Sequence, residues 1–467
     1  MLTLGETIRA ATGRDTKGLP GSEQELNGVV VDSRQATPGC LFVGLKGARA
    51  DGSEFAGDAI ARGAAAVLVS RAPDAGVQVW AADQGSAEIR VPAAIVVPDT
   101  LPALQEIAAF WRRQLPVRVI AITGSVGKTV TKEMTASLLS KRHETLRSEG
   151  NLNNEIGLPL TLLRATPGTE CAVLEMGMYA LGEIARLAEI AAPAVGVVTN
   201  VEPVHLERLG TIERIAQAKA ELVQALPEGG TAVLNGDDAR VRHMAKMTRA
   251  RAFTYGLTPD CDLYATDVES QGLEGIRFRL HYGRETVYAR AALLGTHSVH
   301  TALAATAVAL TEGLTWQEIM AGLMDVSAQL RLIATPALRG SLILDDTYNA
   351  NPKSTIAALN LLGELKGRRI AVLGDMLELG ELEDEAHRKV ARRALEVVSK
   401  LVAVGSRGRI IGEEALRCGM SPTDAAIVAS NDEAIRVLQE WIEPGDVVLV
   451  KGSRGVQMEK IVQALRT

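Results

Sequence analysis

Thr123-Gly-Ser-Val-Gly-Lys-Thr129 is the stretch of this chain whose chemistry is plainest. A glycine-bracketed turn ending in Lys-Thr presents successive backbone N–H groups, and the positive end of the helix that follows, to an anion. Thr123, Gly124, Ser125, Val126 and Gly127 would form the cradle. Lys128 would reach the outer phosphates of a nucleotide, and Thr129 could hold Mg²⁺. The general phosphate-loop pattern carries another glycine five residues before the second one, and here that position is Ile122.

Other polar groups follow in order. Asn151-Leu-Asn-Asn-Glu-Ile-Gly-Leu-Pro159 sets Asn153 and Asn154 beside a turn. Glu175 closes an apolar run, where a hard oxygen ligand could meet the Mg²⁺ of a nucleotide. His205 and Lys219 lie in the run 200–221.

These groups need elements to position them. Val119-Ile-Ala-Ile122 reads as a buried parallel strand, and Val130, Met134 and Leu138 as one face of a helix. From the phosphate loop to about residue 313, strands such as Ala172-Val-Leu-Glu175, Val195-Gly-Val-Val-Thr199 and Ala232-Val-Leu-Asn235 alternate with helical stretches. That alternation predicts a parallel sheet covered on both faces, with ligands at the carboxyl ends of its strands, where Glu175 and Asn200 fall. A first unit is expected over 1–98, with strands at 29–31, 41–45 and 64–69 and Pro92 and Pro98 at its end. A third, over 314–467, repeats the alternation with strands at 341–345, 369–373, 401–404 and 446–450. The expected fold is α/β in three domains. A smaller substrate-binding domain (1–98) precedes a central P-loop domain with a parallel sheet (99–313) and a C-terminal Rossmann-like domain (314–467).

Composition narrows the function classes. At 467 residues the chain is too long for one core, and 3% aromatics leaves core building to Val, Leu, Ile and Ala. A net charge of −6 argues against general nucleic-acid affinity. Cys40, Cys171, Cys261 and Cys418 are scattered without C-x-x-C spacing, which suggests neither a zinc site nor a disulfide framework. Residues 1–7 lack a basic segment leading into an apolar one, and the apolar zone 291–310 is broken by His297 and His300. The expectation is a cytoplasmic, monomeric enzyme with no membrane span.

Thr-Gly-Ser-Val-Gly-Lys-Thr, Asn-Asn-Glu-Ile-Gly-Leu-Pro, Glu-Met-Gly, Asn-Val-x-x-x-His-Leu and Ala-Lys-Ala-Glu, in that order, resemble the motifs of the Mur ligases of peptidoglycan precursor synthesis. The resemblance implies ATP and Mg²⁺ as cofactors. It makes Glu175 and His205 metal ligands beside Thr129, and Lys219 a lysine that CO₂ carbamylates to help position a second Mg²⁺. In the third unit Asp345-Asp-Thr-Tyr-Asn-Ala-Asn-Pro352, Leu373-Gly-Asp-Met-Leu-Glu-Leu-Gly380, His387 and Val450-Lys-Gly-Ser-Arg-Gly455 resemble the branch that adds D-alanyl-D-alanine. By the same resemblance Asp346 would hold the ribose, with His297 also at the nucleotide. Arg331 would meet the phosphates, and Tyr348, Asn349 and Asn351 with Asp375 would flank the nucleophile. Lys128, Lys219, His205 and Arg331 form the implied catalytic group. Asp32-Ser-Arg34 and Gly47-Ala-Arg-Ala-Asp-Gly52 resemble a UDP-sugar-binding domain, with Ser33, Arg34, Lys46 and Arg49 as the contacts. The implied partners are UDP-N-acetylmuramoyl-tripeptide and D-alanyl-D-alanine, joined through an acyl phosphate.

Two positions depart from the pattern. Where the family usually has Gly-x-His-Asn-x-x-Asn-Ala-Leu, this chain has Ser298 and Thr301 in place of the asparagines, and Leu330 replaces a glycine before Arg331. An Asn amide donates and accepts at once along an adenine edge, which a hydroxyl does not reproduce, so the adenine contacts should differ. Three other readings stand beside this one. A sibling ligase that adds a diamino acid would carry Asp-Asn-Pro-Arg, which is absent. Folate polyglutamylation would carry Asp-Gly-Ala-His-Asn where this chain has Asp346-Thr-Tyr-Asn-Ala350. A nucleotide-binding scaffold without ligation draws on the two missing asparagines, against the retention of Glu175, His205 and Lys219.

Overall fold

Val119, Ile120, Ala121 and Ile122 have no solvent exposure, and in the computed structural model they form the strand Arg118–Thr123 inside the largest sheet. β-Branched residues suit a strand covered on both faces, and burying each such side chain contributes roughly 1.5–3 kcal/mol. Ile122 continues this strand instead of opening the turn: its carbonyl accepts from Met176 N at 2.9 Å. A glycine there has no conformational task. The structure describes residues 2–47, 50–73, 76–203, 206–325 and 333–466. Arg49, His205, Leu330 and Arg331 lie outside these residues.

Among the described residues the strands form three sheets, of five, nine and six strands. The first runs in the order Val29–Val30, Leu41–Val43, Ala66–Val69, Ala93–Val96, Gln78–Trp80, all parallel. The helix Thr100–Gln114, started by the Asp99 side chain on Leu101 N, ties this sheet to the next. Thr100 Oγ1 donates to Gly44 O at 3.0 Å and Trp111 Nε1 to Ala165 O at 2.9 Å, so its two ends are fastened to different sheets' surroundings.

The central sheet carries Thr145–Arg147, Cys171–Glu175, Arg118–Thr123, Val195–Val198, Thr231–Asn235, Arg251–Gly256 and Leu263–Ser270 in parallel order. The alternation of strands and helices predicts a parallel sheet, but the edge departs from it. Ile276–Tyr282 and Glu285–Ala291 continue the sheet antiparallel. Ile276, Phe278 and Leu280 are buried while Arg277 and Arg279 are exposed, the period-two pattern of a ribbon covered on one face. The helix Lys128–Leu139 packs beneath the sheet against Val299–Thr311 and Trp316–Leu323. The approach is close: a Cβ added at Gly322 would stand 2.8 Å from Leu138 Cα. Among the described residues no helix is long and apolar enough to cross a membrane.

The third sheet runs Ile333–Ala337, Ser341–Asp346, Val447–Lys451, Arg369–Gly374, Lys400–Val404, Ala425–Val428, parallel except for its first, Pro336-bearing edge strand. Polar residues end the buried strands of both larger sheets: Thr123, Glu175 and Asn235 in one, Asp346 and Lys451 in the other.

Candidate active site

Gly124 adopts φ 148° and Gly127 φ 85°, two left-handed-side conformations that let the chain turn from strand to helix within four residues. The turn is fastened from behind by the next strand's end. Asn200 Oδ1 accepts from Val126 N and Asn200 Nδ2 donates to Val126 O, both at 2.9 Å. Thr199 Oγ1 donates to the same Val126 carbonyl at 2.7 Å, and Ser125 Oγ exchanges hydrogen bonds with the backbone of Glu202. Thr123 lies below, its hydroxyl on Met176 O at 2.9 Å. Lys128 arches back over the loop, Nζ on Gly124 O at 2.9 Å, in the place where phosphate oxygens would compete for it.

Thr129 and Glu175 meet at the loop's mouth, Thr129 Oγ1 donating to Glu175 Oε2 at 2.8 Å. Glu175 Oε1 accepts from Asn153 Nδ2 at 2.9 Å, and Ser148 Oγ accepts from Glu175 N at 3.2 Å. A hydroxyl and a carboxylate side by side are hard donors of the kind Mg²⁺ takes, the ion filling its other positions with waters and phosphate oxygens. Among the described residues no three His, Cys, Asp or Glu side chains converge to enclose a metal. An open donor pair beside a phosphate loop fits Mg²⁺ held jointly with a nucleotide.

Lys219 sits on the helix Ile212–Gln224 and is 2% exposed. No group among the described residues accepts a hydrogen bond from it. Burial first, and the charge of Lys128 second, hold its amine well below the usual lysine range. A lowered pKa favours the uncharged form of a buried amine, the form that acts as a nucleophile.

Gly124 to Lys128, Asn153, Glu175, Asn200 and Lys219 line a cavity of about 980 Å³ whose opposite wall comes from the ends of the third sheet. Asp346 and Lys451 are register partners on adjacent strands, and Lys451 Nζ meets Asp346 Oδ2 at 2.6 Å and Asn349 O at 2.8 Å. Tyr348 faces both this cavity and a smaller one of about 260 Å³ that reaches Thr129. Asn349 and Asn351 also line the main cavity, but their side chains serve the local backbone: Asn349 Oδ1 takes Ala350 N and Asn351 Oδ1 caps the helix Pro352–Glu364 through Ser354 N. Asn154 does the same for Gly157 N. The two walls touch directly where Lys353 Nζ meets Glu202 Oε1 at 2.5 Å.

The histidine-bearing turn forms a third side. His297 opens onto the cavity, its pKa lowered to about 4 by the protein mass around the ring and then by Lys451 and His300. His300 Nε2 lies 2.8 Å from Asp237 Oδ2; burial raises the Asp237 pKa, but that contact, with Leu257 N–H, outweighs it and keeps the carboxyl below its usual range. Ser298 and Thr301 both line the cavity, and Ser298 Oγ is turned onto Leu294 O at 2.6 Å.

Several expected residues stand elsewhere. Asp375 does not line the cavity; its Oδ1 accepts from Arg407 N and Gly408 N at 2.9 and 2.7 Å, capping the helix Gly405–Arg417. Ser33, Arg34 and Lys46 belong to the first unit and line no part of the cavity. Arg34 is held by Asp32, whose pKa that hydrogen bond lowers to about 2. The roles of Asn200, Lys451, Asp237 and Lys353 escape sequence reading, although the first three stand at or just past the ends of buried strands.

A doubly covered parallel sheet with a phosphate loop, facing the strand ends of a second α/β sheet across a shared cavity, defines the chain as a multidomain P-loop protein that handles nucleotide phosphates. The chain matches the families described as Mur ligase family, catalytic domain over 25–112, Mur ligase middle domain over 122–309, and Mur ligase, glutamate ligase domain over 331–454. It belongs to the Mur ligase family. It is 38% identical over 453 residues to the UDP-N-acetylmuramoyl-tripeptide–D-alanyl-D-alanine ligase of Escherichia coli (strain K12), covering 96% of this chain and 95% of that one. Its fold is similar to a crystal structure of MurF from Acinetobacter baumannii, at a TM-score of 0.84 and 30% identity over 98% of this chain and 97% of the other. MurF from Thermotoga maritima, solved in complex with ADP, matches at a TM-score of 0.76 and 27% identity over 94% and 96%.

Proposed function

We propose that this chain is an ATP-dependent, ADP-forming ligase that joins D-alanyl-D-alanine to UDP-N-acetylmuramoyl-tripeptide in cytoplasmic peptidoglycan precursor synthesis. The observation that carries the reading is the shared cavity, in which the phosphate loop, Glu175 and Lys219 face Asp346 and Tyr348 across the space between two sheets. A reaction that brings a nucleotide and two further substrates together needs such a junction.

The loop N–H groups and Lys128 bind the ATP phosphates, and Asp346 meets the ribose. Thr129 and Glu175 would hold Mg²⁺, which would supply charge neutralisation where phosphate and carboxylate oxygens crowd. His205 and Arg331, outside the described residues, would by the resemblance act at the metal and the phosphates. The tripeptide's terminal carboxylate attacks the γ-phosphorus; the bond to the β-phosphate oxygen breaks and ADP leaves. The free amine of D-alanyl-D-alanine then attacks the acyl carbon, the C–O bond to phosphate breaks, and inorganic phosphate departs as the amine loses its proton. Phosphoryl transfer asks mainly for positioning and charge stabilisation from the protein. Burial, and then the charge of Lys128, lower the Lys219 pKa, which favours loss of its proton and so addition of CO₂; that addition would give a carbamate anion and a proton and turn a buried base into an anionic ligand beside Lys128. Ser33, Arg34, Lys46 and Arg49 hold the UDP moiety on the first unit.

Phosphate release in the presence of ATP, Mg²⁺, UDP-N-acetylmuramoyl-tripeptide and D-alanyl-D-alanine, with each omitted in turn, tests the reading. Release is expected to require all of them. Turnover with a free amino acid and a UDP-muramoyl-dipeptide would instead favour the diamino-acid ligase, and nucleotide binding without turnover the scaffold.

A further inference from the structure

The dipeptide that the proposed reaction consumes carries a carboxylate at the end opposite its attacking amine. A carboxylate drawn into a partly enclosed cavity needs a cation. Most cations lining the cavity are already engaged. Arg186 meets Glu106 and Glu189, Lys353 meets Glu202, and Lys451 meets Asp346. Lys128 and Lys219 belong to the phosphate end. Arg454 also lines the cavity, and among the described residues no carboxylate lies within ion-pairing distance of it.

Its backbone is nonetheless firmly held. Ser453 N donates to Asp375 O at 2.9 Å, Ser453 Oγ accepts from Leu377 N at 2.9 Å, and Gly452 passes so near Met458 that an added Cβ would clash with its sulfur. The guanidinium stands 5.9 Å from the centre of the Tyr348 ring, and Tyr348 in turn borders the small cavity that reaches Thr129. A fixed turn thus presents an exposed arginine, backed by an aromatic face, on the cavity wall contributed by the third sheet. Two extended residues span roughly 7 Å, so a dipeptide anchored here by its carboxylate would extend its amine away from Arg454 and into the shared cavity.

We infer that Arg454 binds the terminal carboxylate of the incoming D-alanyl-D-alanine and so determines that the acceptor is a peptide with a free carboxyl end. The inference rests on the function proposed above. Arg offers two parallel N–H donors to a carboxylate, a geometry that Lys does not reproduce.

The test compares D-alanyl-D-alanine with D-alanyl-D-alaninamide, which keeps the amine and lacks the carboxylate, in wild type, Arg454→Ala and Arg454→Lys. Wild type should use the amide about ten- to hundredfold less efficiently in kcat/KM, the range of a lost charge-assisted pair. Arg454→Ala should raise the KM for the dipeptide by a similar factor, leave the KM values for ATP and tripeptide unchanged, and use both dipeptides equally poorly. Arg454→Lys should recover part of the discrimination. If Arg454→Ala keeps the wild-type preference for the free carboxylate, or its effect falls on the KM for ATP, the assignment is overturned. Wild type that turns over neither dipeptide overturns the proposed function, and this assignment with it.

Discussion

Thr129 Oγ1 and Glu175 Oε2 lie 2.8 Å apart, joining the second residue of the phosphate-loop helix to the last residue of the neighbouring strand. The register that pairs Ile122 with Glu175 puts the carboxylate there, one residue short of where the loop begins.

Glu175→Gln keeps the shape of the side chain and removes its charge. The Mg²⁺ concentration needed for half-maximal phosphate release should rise about 10- to 100-fold, with the thermal unfolding midpoint nearly unchanged. A Mg²⁺ titration superimposable on the wild type would remove Glu175 from the metal's surroundings.

Gly124→Ala should disable the loop. A Cβ there would fall 1.9 Å from Thr199 Oγ1, the hydroxyl that holds Val126 O, and φ 148° is costly for any residue with a side chain. The backbone alone contributes on the order of 1–3 kcal/mol, so nucleotide affinity measured by fluorescent-ADP titration should drop about tenfold or more. Undiminished binding would mean that the loop reshapes freely around a nucleotide.

The phosphate loop was legible because its chemistry is local: Thr123 to Thr129 are contiguous, and apolar periodicity on either side assigns the strand and the helix. Glu175 was legible as a polar residue ending an apolar run. Lys451 was not assigned, because its task depends on pairing with Asp346 across two strands 105 positions apart in sequence, which no spacing encodes. Asp375 shows the opposite limit. Its motif was recognisable, but the helix Gly405–Arg417, whose first turn takes its carboxylate, lies thirty residues on. The antiparallel edge at 276–291 was carried in plain alternation of Ile, Phe and Leu with Arg, and was outweighed by the βα rhythm before it.

Lys451 and Asp346 form a pair of which Lys451 is 2% and Asp346 8% exposed. Removing the cation takes away the carboxylate's buried ion-pair partner, a loss that in buried pairs amounts to about 3–5 kcal/mol. Lys451→Ala should lower the unfolding free energy of the C-terminal unit by that order in urea denaturation. Lys451→Ala with Asp346→Ala should recover part of it, since the buried carboxylate is removed together with its cation. Equal destabilisation in the single and double variants would show that packing, and not charge, is what Lys451 contributes.

His387 should make the fold acid-sensitive. The ring is fully buried, its Nε2 accepting from Met376 N at 3.1 Å and its Nδ1 facing Glu383 O at 2.6 Å, so the neutral ring serves as donor and acceptor at once. Burial lowers its pKa below 6.5, against the pull of the Glu383 carbonyl. The unfolded chain therefore takes up this proton at higher pH than the folded one. Between the two pKa values the unfolded state binds more protons, so stability falls as pH drops below about 6.5 and is fully present above it. Protonation also removes the acceptor for Met376 N, loosening the loop that Ser453 and Leu377 share with Arg454. Urea midpoints measured at pH 7.5 and 5.5 should diverge more for the wild type than for His387→Gln, which keeps polar contacts without titrating. Identical pH dependence in the two proteins would assign the acid sensitivity to the carboxylates instead.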